Sequence, residues 1–268
     1  MTVLPADYLV EIDATKCDVA APDAISRVHQ AVDDGRLVLL RGFIDPAAAS
    51  AVRDEAIAFG MSAAKVERSR YYPQCPDVVH EDVPRFSWRD RIRARLEGRA
   101  LRFRDIRSYK FMPWNARSDA IRNVGDRMLA MRNAVYGVAP EYGRDLRSGY
   151  FTVFHVQHYR PGSGFLSEHT DGAFHVRQGL TTRCELILLL SQKGLDYRSG
   201  GLFIRLGSDK YSVDDIARPG DLVIYDVKRP HGCDLIDRGE TASVDPRKGR
   251  WIFMTPPYAA ASHLSAPS

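Results

Sequence analysis

The sequence contains no apolar run long enough to cross a membrane, and its first residues lack the basic and then apolar pattern of a signal peptide. Cysteine is also scarce, because the chain has four cysteines and none of them forms a C-x-x-C pair. This spacing argues against a zinc knuckle and against a disulfide framework. We therefore expect a cytoplasmic protein with reduced thiols and without a membrane partner.

The chain also lacks a large excess of charge of either sign, since its formal net charge is +4. Its densest basic stretch is 85–107, in which nine arginines accompany three acidic residues. Such a run can grip phosphates, but it is more often a solvated helical face with internal ion pairs. We interpret it as a surface helix and expect no nucleic-acid partner.

A chain of 268 residues with 44% hydrophobic content can bury a sizeable core. In the first half, apolar residues at helical spacing predict helices over 22–33, 46–59 and 118–135. A short apolar run predicts a buried strand at 37–43, and the stretch 60–84, rich in Tyr and Pro, predicts a loop. The first half is therefore helical or mixed.

From Tyr150 the pattern changes to short apolar runs separated by Gly and Pro. These runs cover 150–159, 181–190, 201–206, 221–225 and 251–255. They predict a mainly β fold with flanking helices, in which the core is a double-stranded β-helix, the jelly-roll or cupin-like architecture. We divide the chain into a helical or mixed flank at 1–148 that packs on the barrel, a β-helix core at 149–258 and a mobile tail at 259–268.

Two histidines and one carboxylate stand out as candidate metal ligands. His169 and Asp171 form an H-x-D pair between strand-like runs, and His231 follows on a distant predicted strand. Together they predict a face of two imidazoles and one carboxylate, which holds non-haem Fe(II) and leaves the opposite side open. His155 and His158, on the strand before the motif, are assigned structural or substrate-lining roles.

Six short motifs occur in a single order along the second half of the chain. They are Tyr159-Arg160-Pro161-Gly162, His169-Thr170-Asp171, Gly200-Gly201-Leu202, Pro219-Gly220-Asp221-Leu222, Pro230-His231 and Gly249-Arg250. In this order they resemble the Fe(II)/2-oxoglutarate-dependent oxygenase superfamily, and most of all its prolyl-hydroxylase-like branch. The resemblance covers about residues 150–258 and does not extend to the first half.

The resemblance implies two cofactors and the residues that hold them. Fe(II) would be bound by His169, Asp171 and His231. The distal carboxylate of the cosubstrate, 2-oxoglutarate, would pair with Arg250, supported by Tyr159. A planar guanidinium suits this role because it makes two parallel bonds to a carboxylate and stays charged when buried. Gln157 shares the strand face of Tyr159 by alternation, so it is a further candidate for contact with the cosubstrate.

The chain departs from the family pattern between the distal histidine and the arginine. Residues 238–248 form an apparent insertion, which leaves Arg247 and Lys248 as rivals to Arg250. We prefer Arg250 because it begins the last predicted strand. Arg183 resembles a position that faces the primary substrate, and His175, just after the metal motif, is a second candidate for substrate contact.

The resemblance implies a dioxygenase that hydroxylates or otherwise oxidises a small molecule with O₂ and releases succinate and CO₂, with natural-product metabolism as the expected setting. Asp171 argues against halogenation, because halogenating relatives lack this carboxylate. Two alternatives stay open. One is the same chemistry on a protein side chain or a nucleic-acid base, and the other is a non-catalytic jelly roll that binds a ligand.

Overall fold

The structure, a computed structural model, describes six ranges of the chain. They are 4–62, 79–82, 103–116, 118–171, 182–243 and 245–259. Most of the predicted loop at 60–84, most of the basic run at 85–107 and all of the predicted tail beyond Ala259 lie outside these ranges. Within them, no helix combines the length and the apolar character that a bilayer crossing needs.

Three α-helices occur in the described ranges, each where the apolar spacing predicts one. They are α1 (Pro22–Asp33), α2 (Pro46–Ser62) and α3 (Asp119–Tyr136). Ser118 caps α3, because its side-chain oxygen accepts a hydrogen bond from the backbone N–H of Ile121 at 3.1 Å. Gly137 ends the same helix in the left-handed conformation, at φ 65°. Local sequence therefore determines where these helices lie.

The described residues form fifteen strands. In chain order they are β1 (Leu9–Asp13), β2 (Leu37–Arg41), β3 (Val79–Asp82), β4 (Phe103–Arg104), β5 (Ile106–Phe111), β6 (Tyr150–Thr152), β7 (Phe154–Tyr159), β8 (Phe165–His169), β9 (Cys184–Leu189), β10 (Gly201–Leu206), β11 (Asp209–Ser212), β12 (Leu222–Asp226), β13 (His231–Asp234), β14 (Arg250–Met254) and β15 (Pro257–Ala259). A large sheet has the order β1-β2-β12-β9-β14-β7-β5-β3, and a small sheet has the order β11-β10-β13-β8-β4. β6 and β15 form a separate pair.

The large sheet is covered on both faces. One hydrophobic cluster packs the three helices against one face, and a second cluster fills the space between the large and small sheets. β9 shows the division, since Leu186 and Leu188 belong to the helix-side cluster, whereas Ile187 and Leu189 belong to the cluster between the sheets. Burial on both faces explains why this strand is an almost continuous apolar run.

Three sequence predictions need correction. Within the stretch 60–84, which the sequence predicts as a loop, residues 60–62 belong to α2 and residues 79–82 form β3, which pairs with β5. The predicted strand at 150–159 is two strands, because β6 pairs with β15 whereas β7 pairs with β14 and β5. The helical interpretation of the basic run is wrong for its described end, 103–107, which contains β4 and the start of β5. β4 pairs with β8, and β5 pairs with β7. These backbone partners are distant in sequence, so the spacing of the arginines could not predict the strands.

Three short strands of the small sheet, β8, β11 and β13, are absent from the predicted strand ranges, although the sequence does predict that His231 lies on a strand. Each has only four or five residues, and polar or charged residues such as Ser167, Glu168 and Lys210 interrupt its apolar pattern. Their strand geometry comes from pairing within the small sheet. The strands that carry the metal motif are thus the ones with the weakest local signal.

Gly125 lies in the interior of α3 against the Phe154 ring of β7, and a Cβ at this position would overlap that ring. We expect Gly125→Ala to lower the free energy of unfolding by about 1–2 kcal/mol, because overpacking outweighs the roughly 1 kcal/mol gain in helix propensity. Asn123→Ala, at an exposed position of the same helix, is the matched control and should stabilise slightly. Urea unfolding measures both changes. Stabilisation by Gly125→Ala would contradict the packing seen here.

Candidate metal centre and adjoining cavity

His169, Asp171 and His231 meet at one point. β8 and β13 pair antiparallel with His169 directly opposite His231, so the centroids of the two rings lie 4.4 Å apart. Nε2 of His169 is 3.4 Å from Oδ1 of Asp171, and Nε2 of His231 is 3.2 Å from its Oδ2. The candidate ligand atoms all lie within 4.8 Å of one another, a spacing suited to a shared metal ion.

Main-chain carbonyls hold both imidazole rings. Nδ1 of His169 is 2.8 Å from the carbonyl oxygen of Ser167, and Nδ1 of His231 is 2.9 Å from that of Arg229. A proton on Nδ1 satisfies each contact, which leaves Nε2 facing the centre as the ligating nitrogen. The backbone N–H of Asp171 donates to the carbonyl oxygen of Val227 at 3.0 Å and ties the third ligand to the end of β12.

The charge of Asp171 suits it to metal binding. Burial alone would raise the pKa of its carboxyl, but in the metal-free site His169 and His231, when protonated at both ring nitrogens, supply hydrogen bonds and charge that outweigh burial and hold that pKa well below its usual range. The carboxylate is therefore ionised at neutral pH. A metal ligand must be deprotonated, so this oxygen is ready to bind a cation.

A cavity of about 200 Å³ adjoins the three residues and runs between the two sheets. Successive pairs across β14 and β7 line it: Arg250 lies opposite Tyr159, Ile252 opposite Gln157 and Met254 opposite His155. The alternation of side chains along both strands points all six residues into this space. The cavity thus joins the candidate metal centre to a buried arginine.

Arg250 is almost fully buried and paired with one carboxylate. Its Nε donates to Oδ2 of Asp214 at 2.6 Å, and its Nη2 donates to Oδ1 at 3.2 Å. Burial disfavours the charge, but Asp214 outweighs burial and raises the pKa of Arg250. Arg247 and Lys248 are exposed and do not line the cavity. Arg250 is therefore the one of the three rivals that reaches this site.

Asp214 is anchored in turn by neighbours on the small-sheet side. It accepts hydrogen bonds from the hydroxyl of Tyr197 at 2.5 Å and from the backbone N–H of Leu202 at 3.0 Å. A side chain on Gly201, which has φ 103°, would overlap the Asp214 carboxylate. The second glycine of the Gly200-Gly201 motif thus leaves the room that this carboxylate occupies.

Tyr159 and Gln157 form a polar row beside Arg250. The Tyr159 hydroxyl donates to Oε1 of Gln157 at 3.0 Å, and Nε2 of Gln157 lies 3.3 Å from Nε2 of His155. The Arg250 guanidinium carbon lies 5.5 Å from the centroid of the Tyr159 ring. Both residues that the sequence links to cosubstrate binding therefore line the same cavity as Arg250.

The structure does not bring Arg183 to the cavity. Its guanidinium forms an ion pair with Asp33 at the end of α1, and it is not among the described residues that line the cavity. His175 lies outside the described ranges. His158 faces away from the cavity, where its ring stacks on Trp251 at 4.2 Å and its Nε2 bonds to the carbonyl oxygen of Lys248 at 2.7 Å. Its role is structural.

No protein-family model and no curated protein sequence matches the chain. Solved structures do. A prolyl-4-hydroxylase from Pseudomonas putida shares 16% sequence identity at a TM-score of 0.54, over 88% of this chain and 98% of that chain. A full-length Neurospora crassa protein, solved in complex with alpha-KG and thymine, shares 13% at 0.51, over 96% and 87%. SnoN, a non-heme alpha ketoglutarate dependent epimerase from nogalamycin biosynthesis, shares 13% at 0.51, over 90% and 84%.

The fold is that of the Fe(II)/2-oxoglutarate oxygenases. The predicted jelly-roll architecture is therefore confirmed. The identities are so low that the likeness is one of fold. In this jelly roll, the roles of individual residues rest on the geometry of the site.

The residues at or behind the cavity that are absent from the sequence-based site include Glu185, Tyr225 and Asp214. Glu185 has a local signal, since a carboxylate at the start of an apolar strand is unusual. Burial, and secondarily the charge of Asp171, raises the pKa of Glu185 well above its usual value. Asp214 has no local signal, because its partner Arg250 lies 36 residues away in the chain.

Asp214 neutralises a buried cation, so its removal should be costly. We expect Asp214→Ala to lower the free energy of unfolding by roughly 3–5 kcal/mol, because Arg250 would remain buried without its carboxylate. Asp215→Ala is the matched control, since that carboxylate pairs with Lys193 at the surface and should lose about 0–1 kcal/mol. Chemical denaturation measures both. If both variants lost the same small amount of unfolding free energy, the buried pair of Arg250 and Asp214 would not be needed for stability.

Proposed function

We propose that the protein is a non-haem Fe(II)- and 2-oxoglutarate-dependent dioxygenase that hydroxylates or otherwise oxidises a small molecule and releases succinate and CO₂. One observation carries the proposal: two imidazoles and an ionised carboxylate face the same cavity as a buried arginine. The fold supports it, because solved proteins of this fold include a prolyl-4-hydroxylase and the Neurospora crassa protein in complex with alpha-KG.

The three proposed ligands fit ferrous iron. Two neutral imidazole nitrogens and one carboxylate oxygen are the donor set of the facial triad in non-haem Fe(II) oxygenases. Nε2 of His169 and Nε2 of His231 face the Asp171 carboxylate from the two adjacent strands β8 and β13. The carbonyl contacts at Nδ1 fix both rings before a metal binds, which lowers the ordering cost of coordination.

Arg250 fits a carboxylate of 2-oxoglutarate. Arginine has five N–H donors, and Asp214 accepts two of them, so further donors stay available toward the cavity. A guanidinium held rigidly by a second carboxylate is pre-organised for paired hydrogen bonds to an anion. Tyr159 and Gln157 line the wall beside it and complete the proposed cosubstrate site.

When bound, iron and 2-oxoglutarate supply the O₂ activation and the oxidising equivalents. The chain's part is to place substrate and cosubstrate and to exclude water. Ile187, Ile252 and Met254 give the cavity wall its apolar character, while His155 and Glu185 offer polar contacts. A small, partly apolar substrate suits this wall, and SnoN from nogalamycin biosynthesis shows that this fold occurs in natural-product metabolism.

Iron and turnover should depend on the proposed triad. We expect wild-type protein with Fe(II) and 2-oxoglutarate to form succinate, and His169→Ala to lose both Fe(II) binding and succinate formation because one of three ligands is gone. Anaerobic calorimetry measures the metal, and NMR measures succinate. His29→Gln is the control, since His29 contacts the carbonyl oxygen of Val135 on α3 and lies away from the cavity.

If wild-type protein formed no succinate at any concentration of Fe(II) and 2-oxoglutarate, with or without candidate substrates, that result would favour a non-catalytic binding protein. Succinate that rises with a peptide or an oligonucleotide, but not with small molecules, would favour the second class of substrate. Both outcomes would contradict the proposal. Because oxygenases of this type also turn over 2-oxoglutarate without their substrate, the substrate is scored by the rise above that background.

Arg250 should govern the cosubstrate. We expect Arg250→Ala to raise the KM for 2-oxoglutarate roughly tenfold to a hundredfold, because charged hydrogen bonds of about 1.5–3 kcal/mol are lost. Arg247→Ala is the matched control and should leave the KM unchanged, because Arg247 is exposed outside the cavity. Thermal unfolding confirms that each variant is folded. A rise in KM for Arg247→Ala alone would move the role to the 238–248 segment.

A further inference from the structure

Tyr225 is a buried residue of the cavity wall with an unused hydroxyl. It lies on β12, is 2% exposed and lines the cavity. Its ring meets the ring of His231 edge to face, with centroids 4.9 Å apart. The hydroxyl oxygen is buried and has no hydrogen-bond partner among the described residues. A buried polar atom of this kind calls for an explanation, since most are hydrogen-bonded.

Packing does not explain the hydroxyl. Phenylalanine would fill the same ring volume, and leaving a buried hydroxyl without a partner costs stability. Glu185 lies directly opposite Tyr225 in the β9–β12 pairing, yet no hydrogen bond joins the two. The hydroxyl therefore matches a ligand rather than a neighbour among the described residues.

The position of the hydroxyl indicates the chemistry of that ligand. Tyr225 lines the same cavity as Asp171 of the candidate metal centre and Arg250, and its ring contacts the ring of His231. The residue therefore borders both ends of the proposed cosubstrate site. A phenol O–H is a hydrogen-bond donor, and the group that would bridge a cationic metal centre and a guanidinium is an anion rich in acceptor oxygens.

We propose that Tyr225 is a cosubstrate-binding residue whose hydroxyl donates a hydrogen bond to an oxygen of the bound 2-oxo dicarboxylate. This inference rests on the proposed function, since it needs a cosubstrate between the triad and Arg250. Tyr225 on β12 would supply a neutral hydrogen-bond donor in addition to the charged donor, Arg250, on β14. This role also explains why a hydroxyl that costs stability in the free protein stands at this point of the wall.

The test is Tyr225→Phe, which removes the hydroxyl and keeps the ring. We expect the variant to unfold at the same or a higher temperature than wild type, because an unsatisfied buried group is gone. Its affinity for 2-oxoglutarate should fall roughly tenfold, measured by anaerobic calorimetry on Fe(II)-loaded protein. The KM for 2-oxoglutarate should rise in proportion, while kcat at saturating 2-oxoglutarate changes little.

Tyr136→Phe is the matched control. Tyr136 is a partly buried tyrosine, but its hydroxyl donates to the carbonyl oxygen of Cys184 at 2.8 Å and it does not line the cavity beside the candidate metal centre. We expect the opposite pattern, namely a lower unfolding temperature with 2-oxoglutarate affinity unchanged. Both variants remove a tyrosine hydroxyl and keep the ring. They differ in whether that hydroxyl has a hydrogen-bond partner among the described residues.

Unchanged 2-oxoglutarate affinity in Tyr225→Phe, with wild type binding normally, would overturn this inference alone. A lower unfolding temperature of Tyr225→Phe would reveal a protein partner for the hydroxyl and would overturn it as well. A change confined to Fe(II) affinity or to the KM of the primary substrate would mean that the Tyr225 hydroxyl serves a ligand other than 2-oxoglutarate, and it would also overturn the inference. Wild-type protein that binds no 2-oxoglutarate would instead contradict the proposed function, and this inference with it.

Discussion

The burial of the large sheet on both of its faces is the constraint on which the site depends. Side chains alternate along each strand, so every second residue packs against the helices and the others face the small sheet. On β14, Trp251 and Phe253 join the helix-side cluster, whereas Arg250 and Ile252 face the cavity. A slip of one residue in this strand would exchange the two sets and remove the arginine from the cavity.

The cavity combines charged groups, each of which would be costly to bury without a partner. Arg250 is buried but paired with Asp214, and Asp171 is ionised beside two imidazoles. The result is a cation at one part of the cavity and a metal-ligating carboxylate at another, with polar groups of Gln157 and Tyr159 beside the arginine. This arrangement suits a small anion bound next to a metal. The buried charges also restrict which residues fit around them. At Gly201, for example, a side chain would overlap the Asp214 carboxylate.

Pre-organisation is the common theme of the site residues. Main-chain carbonyls hold the Nδ1 atoms of both histidines, and the hydroxyl of Tyr197 and a backbone N–H hold the carboxylate that orients Arg250. Strands rather than loops carry most of these groups, which keeps their spacing constant. Tyr225 is the exception among the buried polar groups of the wall, because its hydroxyl has no partner in the described part of the chain.

The sequence by itself determined the helices, the jelly-roll class and the residues of the candidate triad, because these depend on local spacing, on capping residues such as Ser118 and on short ordered motifs. It also led to Arg250, Tyr159 and Gln157 as residues of one cavity. The tertiary structure alone decided the rest. The strands β8 and β13 form through pairing, Asp214 meets Arg250 across the two sheets, and Arg183 is drawn to Asp33, 150 residues earlier in the chain. Each of these contacts joins residues that are distant in sequence, and no local pattern encodes the partner of such a contact.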